Sequence, residues 1–205
     1  MEMKEIAQQL PTAIGARIVE SHDLMGSYRA MAEFKNWPIM IAFWRTSSGR
    51  YSAASARTEM TAAFVSTDNF KFSIGYAKNI AGMFVKKIPI VYPELASGTL
   101  AATTNDEAKL GAILQDQTVH SLIVKIFDSS ASGMFVGENI QIEPADGNVH
   151  VVLYQRVRLG NAFWNEDISL FKNVYELLKA ILTQMEKLGS TSDESPDKKK
   201  VAGMS

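Results

Sequence analysis

Residues 138–156 read ENIQIEPADGNVHVVLYQR, and residues 165–189 read NEDISLFKNVYELLKAILTQMEKLG. In the first stretch, Ile140 and Ile142 alternate with polar residues, and Val149, Val151 and Leu153 repeat the same two-residue period. Such alternation is typical of half-buried β-strands. Between the two runs, Asp146-Gly147 supplies the turn chemistry of a tight connection. The first stretch therefore predicts a β-hairpin.

The second stretch predicts a long helix with one apolar face. Apolar side chains recur there at spacings of three and four: Phe171, Val174, Tyr175, Leu178, Ile181, Leu182, Met185 and Leu188. Asn165 is placed to cap the first turn, and Gly189 can take the left-handed conformation that closes a helix. Since an isolated hairpin is only marginally stable in water, we expect this helix to lie across the sheet.

The rest of the chain supplies further strands and a helical pair. Residues 28–34, 39–46, 54–66 and 70–76 look extended, and the last two are predicted to form a second hairpin around a turn at 67–69. A short strand over 99–103 precedes two helices, 108–114 and 117–127, the first starting at Asn105-Asp106-Glu107. Residues 78–97 are interpreted as a connecting segment. At the N-terminus we expect a helix that Pro11 interrupts and a second short helix over 13–20.

This order of elements favours an α+β fold. Its sheet would be mainly antiparallel and built of hairpins, covered by the helical pair and the long C-terminal helix. We predict an N-terminal helical or irregular segment over 1–26, a single domain over 27–189 and a disordered tail over 190–205. Two successive sheet-then-helix halves, 27–128 and 129–189, stay open as a subdivision of that domain.

Composition narrows the class of protein. The chain has 205 residues, of which 46% are hydrophobic and 21% are charged, so it can bury a full core. Zero cysteines exclude disulfides, thiolate nucleophiles and Cys-ligated metals. Because no apolar run reaches the length of a signal peptide or a membrane span, we expect a soluble, cytoplasmic protein with no membrane partner. A net charge of −1 gives no overall attraction to nucleic acid, and we expect no nucleic-acid partner.

Motifs that carry chemistry are missing from the sequence. There is no phosphate-binding loop, no dinucleotide fingerprint and no Gly-x-Ser-x-Gly elbow. The three histidines, His22, His120 and His150, lie on separate segments without the close spacing of metal ligands. Glu138 and Glu143 are interpreted as solvated strand positions. We therefore predict no catalytic residues, no metal site and no cofactor.

One group of residues is a candidate ligand-binding site. Trp44 and Arg45 end one predicted strand, Arg50 follows the turn, and Arg57 and Glu59 lie on the polar face of the next strand. If these strands pair, several guanidinium groups would converge beside an aromatic ring, which suits a small anionic ligand or an acidic partner. The alternative interpretation is ordinary cross-strand ion pairing.

A second candidate group lies between the last strand and the long helix. It comprises Arg156, Arg158 and Trp164, with Phe163 beside them. Connecting segments at strand ends are frequent binding sites. The alternative is that the two aromatic residues close the end of the core.

These observations favour a non-enzymatic soluble domain that binds a protein partner or itself as a homo-oligomer. Two alternatives stay open. One is a small-molecule-binding protein with an apolar pocket between the sheet and the long helix. The other is an enzyme whose catalytic groups are gathered by the fold rather than by sequence order.

Overall fold

The computed structural model describes residues 3–22, 27–46, 55–76, 86–95, 100–131, 141–145, 148–156 and 168–196. The described residues form four helices and eleven strands. The helices are α1 (Met3–Ile14), α2 (Glu107–Gln115), α3 (Gln117–Ala131) and α4 (Ile168–Lys187). The strands are β1 (Arg17–His22), β2 (Ser27–Phe34), β3 (Trp37–Thr46), β4 (Ser55–Ala63), β5 (Val65–Ser66), β6 (Phe72–Tyr76), β7 (Ile88–Ile90), β8 (Leu100–Thr104), β9 (Gln141–Ala145), β10 (Asn148–Arg156) and β11 (Thr191–Ser192).

Nine strands form one sheet in the order β1-β2-β3-β4-β10-β9-β6-β8-β7, and β5 pairs with β11 in a small second sheet. Every pairing is antiparallel. The predicted α+β class with a mainly antiparallel sheet is therefore confirmed. The hairpin β9–β10 lies in the middle of the sheet, so both proposed halves of the domain contribute to the same sheet.

All four helices pack on one face of this sheet. Alternate residues of β3, among them Ile39, Ile41 and Phe43, are buried in a core cluster that also contains residues of every helix. The ring of Phe43 meets the ring of Phe171 on α4 edge to face, with centroids 5.8 Å apart. Burial of this continuous apolar layer is the main force that holds helices and sheet together.

The long helix α4 matches its prediction. The apolar stripe is buried except for Leu188, which is half-buried, and Leu170 and Leu177 widen the buried face. The helix ends as expected: Gly189 has a φ of 69°, and the backbone N–H groups of Gly189 and Ser190 donate to the carbonyls of Glu186 and Met185 at 3.0 and 2.8 Å. The predicted start at residues 165–167 lies outside the described residues.

The hairpin β9–β10 is also confirmed. Asn148 pairs with Ala145, which leaves a two-residue connection. The connection itself, Asp146-Gly147, lies outside the described residues. The helical pair is present as α2 and α3, and Asp106 caps α2 by accepting from the backbone N–H of Lys109 at 3.0 Å.

The predicted second hairpin is wrong. Residues 55–63 and 72–76 are strands, but β4 pairs with β3 and β10, whereas β6 pairs with β8 and β9. The physical reason is that hairpin β9–β10 takes the position between them, so each of the two strands pairs with a distant segment. Residues 86–95, interpreted as part of a connection, include the edge strand β7.

Both chain ends also differ from the prediction. The helix α1 continues through Pro11, and residues 17–22 form the edge strand β1 instead of a helix. At the other end, disorder from residue 190 is wrong for residues 190–196: Ser190 and Thr191 are buried, and β11 pairs with β5. These two small polar residues find hydrogen-bond partners at the sheet end, which composition could not show. Residues 197–205 lie outside the described residues.

Candidate functional site

The sheet has a second face, opposite the helices, that is formed by alternate residues of β2, β3 and β4. We call it the open face and define it by Arg29, Met31, Met40, Ala42, Trp44, Glu59 and Thr61, which follow one another in register across the three strands. Met40 is buried but does not belong to the core cluster, and Met31, Ala42 and Trp44 are half-buried. The centre of the open face is therefore apolar.

Charged residues surround this apolar centre. Arg29 donates to Glu20 on β1 at 3.0 Å, and both side chains keep more than a third of their surface exposed. Glu59 accepts a long hydrogen bond, 3.4 Å, from the hydroxyl of Thr61. Because the Arg29–Glu20 pair is partly exposed to solvent, it contributes at most about 1 kcal/mol to stability. Its main effect is to place charges of both signs beside the apolar centre.

The structure brings part of the first predicted site together. The strands β3 and β4 pair, as the prediction required, and Trp44 lies directly opposite Arg57. Glu59 on β4 pairs with Ala42, which lies two residues before Trp44 on the same face. Arg45 pairs with Ala56, so Arg45 does not occupy a position of the open face. The side chains of Arg45 and Arg57, and the whole of Arg50, lie outside the described part of the structure. Binding of an anionic ligand by these arginines stays a prediction.

The second predicted group, Arg156, Arg158 and Trp164, begins at the same end of the strands as Trp44 and Arg57 of the first group. Arg156 pairs with Ser55, and Tyr154 pairs with Arg57, because β10 is the neighbour of β4. Trp44, Arg57 and Tyr154 thus form one row across three strands. Arg158, Phe163 and Trp164 lie outside the described residues. This proximity was missed because it depends on a pairing between residues 55–63 and 148–156, and no local pattern indicates such a pairing.

A polar cluster at the other end of α4 contains the residue types of a nucleophilic site. Ser190 donates to Asp68 at 2.8 Å and accepts from the ammonium of Lys109 at 3.0 Å, and Lys109 also pairs directly with Asp68. Ser190 has 0% of its surface exposed, so a substrate has no access to its hydroxyl. The cluster instead ties the end of α4 to α2 and to the turn before β6.

A second polar cluster joins α3 to the segment after β7. The rings of Tyr92 and His120 lie 4.2 Å apart, and Nε2 of His120 is 3.6 Å from a carboxylate oxygen of Glu94. Burial, with a smaller effect from the charge of Glu94, raises the pKa of Tyr92 to about 12. A tyrosine that holds its proton so firmly is a poor general base at neutral pH. Among the described residues, no group of three His, Cys, Asp or Glu side chains is placed to hold a metal ion.

The space beneath α4 is filled. Leu177, Leu178, Ile181 and Leu182 each have 0% of their surface exposed, and all four belong to the core cluster. A groove with a volume of about 400 Å³ lies elsewhere, between the β2–β3 turn, the start of β1 and the C-terminal segment. The predicted pocket between the sheet and the long helix is therefore not favoured by the packing of the described residues.

Comparison of the chain with protein-family models, with curated proteins and with solved structures finds no match. None of the described helices is both long enough and apolar enough to cross a membrane. The structure itself defines the class: an α+β protein with its helices on one face of a nine-stranded antiparallel sheet.

Proposed function

We propose that this protein is a non-enzymatic association domain, and that the open face of its sheet binds a second copy of the chain. The observation that carries the proposal is the apolar centre formed by Met31, Met40, Ala42 and Trp44 on the face opposite the helices. Antiparallel sheets with one solvated face normally present polar residues there. Met, Trp and Arg are among the residues enriched in protein interfaces.

The open face supplies the centre of an interface. Its three strands, spaced about 4.8 Å apart and each roughly 30 Å long, cover roughly 400 Å². A specific interface of standard size buries about 800 Å² on each partner. The contact with a second copy therefore extends beyond the open face onto the surface around it.

The distribution of charge favours a second copy over a strongly acidic or basic partner. Arg29 on β2 lies beside Glu20 on β1, and Glu59 lies across the face on β4. A rim that carries both positive and negative charges can be complementary to a second copy of itself. Across a two-fold axis each residue meets a different residue of the other copy, so a positive charge can face a negative one. The whole chain has a net charge of only −1, so long-range repulsion between copies is weak.

The two edge strands of the sheet are less suitable than the open face for binding a second copy of the chain. The edge strand β1 carries exposed Ile18 and Val19, but its pairing is irregular between Ile18 and Glu20. The other edge strand, β7, has three residues and an exposed proline, Pro89, at its centre. Bulges, short strands and prolines are the devices that prevent strand addition at an edge. Association through the face is thus the better supported arrangement.

The proposal is tested by the mass of the protein in solution, measured by sedimentation or by light scattering after gel filtration. The wild-type chain is expected to have the mass of a dimer at micromolar concentration. The substitution Ala42→Glu would bury a carboxylate in the interface and is expected to weaken the dimer by at least about tenfold.

Ala108→Glu is the matched control, because Ala108 is exposed on α2 in the helical layer. This variant is expected to stay dimeric, and circular dichroism of both variants checks that each is folded. A monomeric wild-type protein overturns the proposal. A dimer that persists unchanged in Ala42→Glu also overturns it, because the interface would then lie elsewhere.

A further inference from the structure

The groove at one end of the sheet has walls from three different parts of the chain. Arg17 comes from β1, Met31 and Glu33 from β2, Pro38 from β3, and Ser195 and Pro196 from the C-terminal segment. Its volume of about 400 Å³ lies within the range of roughly 300–1,000 Å³ that is usual for small-molecule sites. The groove therefore has the size of a site for a small molecule.

The wall formed by the C-terminal segment is held in place. The indole N–H of Trp37 donates to the carbonyl of Ser192 at 3.0 Å, and the amide of Asn36 donates to the carbonyl of Asp193 at 2.7 Å. Pro196 is buried. A wall that is already ordered lowers the entropy that a ligand must lose on binding.

Two opposite charges line the groove without partners. The guanidinium of Arg17 and the carboxylate of Glu33 are exposed, and neither makes an ion pair or a side-chain hydrogen bond within the described part of the chain. Arg17 lies opposite Met31, and Glu33 is two residues further along β2. Such diagonal neighbours on one face are roughly 7–8 Å apart, which leaves room for a ligand between the two charged groups.

The remaining cation at the groove is already engaged. Lys35 forms an ion pair with Glu186 on α4. Met31, Pro38 and Pro196 also line the groove, and their side chains contribute apolar surface to it. Among the residues that the structure describes, the groove thus offers one free cation, one free anion and some apolar surface.

From this arrangement we infer that the groove binds a small zwitterion of the α-amino-acid class with an apolar side chain. The ligand carboxylate pairs with the guanidinium of Arg17, which presents two parallel donors to it. The ligand ammonium pairs with the carboxylate of Glu33. The apolar side chain lies on Met31, Pro38 and Pro196. This site uses different residues from the proposed dimer contact, except for Met31, and binding is measured independently of mass.

The test is a titration of the full-length protein with L-leucine, followed by NMR through the backbone amides of residues at the groove. L-Leucinamide lacks the carboxylate, N-acetyl-L-leucine lacks the ammonium, and glycine lacks the side chain. Each of these three is expected to bind at least about tenfold more weakly than L-leucine. Equal binding of N-acetyl-L-leucine would show a simple anion site and overturn the inference.

Two substitutions test the same site from the side of the protein. Arg17→Met and Glu33→Gln are each expected to weaken L-leucine binding by about tenfold or more, since each removes one charged contact. Lys172→Met also removes a cation, but from the exposed side of α4, and is expected to leave binding unchanged. Absence of any L-leucine-dependent shift at the groove of the wild-type protein overturns the inference, as does retained binding in both groove variants.

Discussion

Asp68 links the C-terminal end of α4 to α2, because it accepts from the hydroxyl of Ser190 and pairs with Lys109. Partial burial raises the pKa of its carboxyl, but hydrogen bonds from Lys109, from the backbone N–H of Phe70 and from Ser190 together outweigh this effect. The pKa therefore lies below its ordinary value of 3.8. The folded state favours the charged carboxylate, so the cluster stabilises the fold only while Asp68 is ionised.

The sign of the pH dependence follows from this lowered pKa. The contribution of Asp68 is fully present above the unfolded-state pKa of 3.8, and it is lost as the pH falls through the lower pKa of the folded state. We expect Asp68→Asn to be less stable than the wild type by about 1–2 kcal/mol at neutral pH. This difference should shrink as the pH falls below 3.8, as measured by urea unfolding at several pH values. A difference that stays constant down to the acid range would contradict this account.

At the scale of the element, the C-terminal segment after α4 is part of the fold. Its carbonyls accept from Trp37 and Asn36, and the hydroxyl of Thr191 donates to the carbonyl of Val65 at 3.0 Å. Trp37 has 0% of its surface exposed, so its indole N–H depends on the acceptor that Ser192 provides. A buried donor that loses its acceptor costs about 1–3 kcal/mol.

Truncation of the chain tests this role. Removal of all residues after Gly189 is expected to lower Tm by about 5 °C or more, since Trp37 loses its acceptor and β5 loses its partner strand. Removal of the residues after Pro196 preserves every contact named above and serves as the control. Thermal unfolding followed by circular dichroism distinguishes the two. Equal Tm values for both truncations would show that the segment contributes nothing to stability.

The elements that the sequence predicts well are those in which apolar residues recur at a regular spacing within a short stretch of chain. The stripe of α4 and the alternation of β9 and β10 are visible within 20 neighbouring residues or fewer. The pairing of β4 with β10 could not be predicted from the sequence, because it joins segments far apart in the chain. The alternation of apolar and polar residues in either strand would be the same beside a different partner strand. The polar composition of residues 190–196 predicts disorder, whereas the structure buries Ser190 and Thr191 through specific hydrogen bonds.

The candidate sites also depend on contacts between distant segments, which local sequence patterns do not indicate. The pairing of β3 with β4 was an explicit condition of the first site, and the register places Trp44 opposite Arg57. The groove gave no signal in the sequence, since Arg17 and Glu33 belong to different strands and Pro196 comes from the opposite end of the chain. Only the register of β1 with β2 and the position of the C-terminal segment bring them together.

At the scale of the whole molecule, the central hairpin makes the sheet one unit. The strands β1 to β4 lie on one side of β10, and β6 to β8 lie on the far side of β9. The helix α4 packs on the same sheet and contacts α1, α2 and α3. Separation of the two parts of the sheet that flank this hairpin would break the pairing of β4 with β10 or that of β6 with β9, so we expect the two parts to unfold together.

Two core substitutions on opposite sides of the hairpin test this expectation. Ile41 on β3 and Ile74 on β6 each have 0% of their surface exposed, and replacement of either by Ala should cost about 2–5 kcal/mol. Both variants are expected to show one unfolding transition in urea, shifted to lower concentration and coincident by far-ultraviolet circular dichroism and by tryptophan fluorescence. A biphasic curve in either variant would mean that the two parts of the sheet unfold separately.

The central position of hairpin β9–β10 also matters while the chain is being made. Strand β4 ends at Ala63, but its partner β10 is complete only at Arg156. At a synthesis rate of about 5–20 residues per second, the ribosome takes roughly 5–20 s to make the intervening residues. During that interval, β4 presents an unpaired edge that can add a strand from a neighbouring nascent chain. The strand β10, which joins the two parts of the sheet, is thus also the strand that covers the unpaired edge of β4.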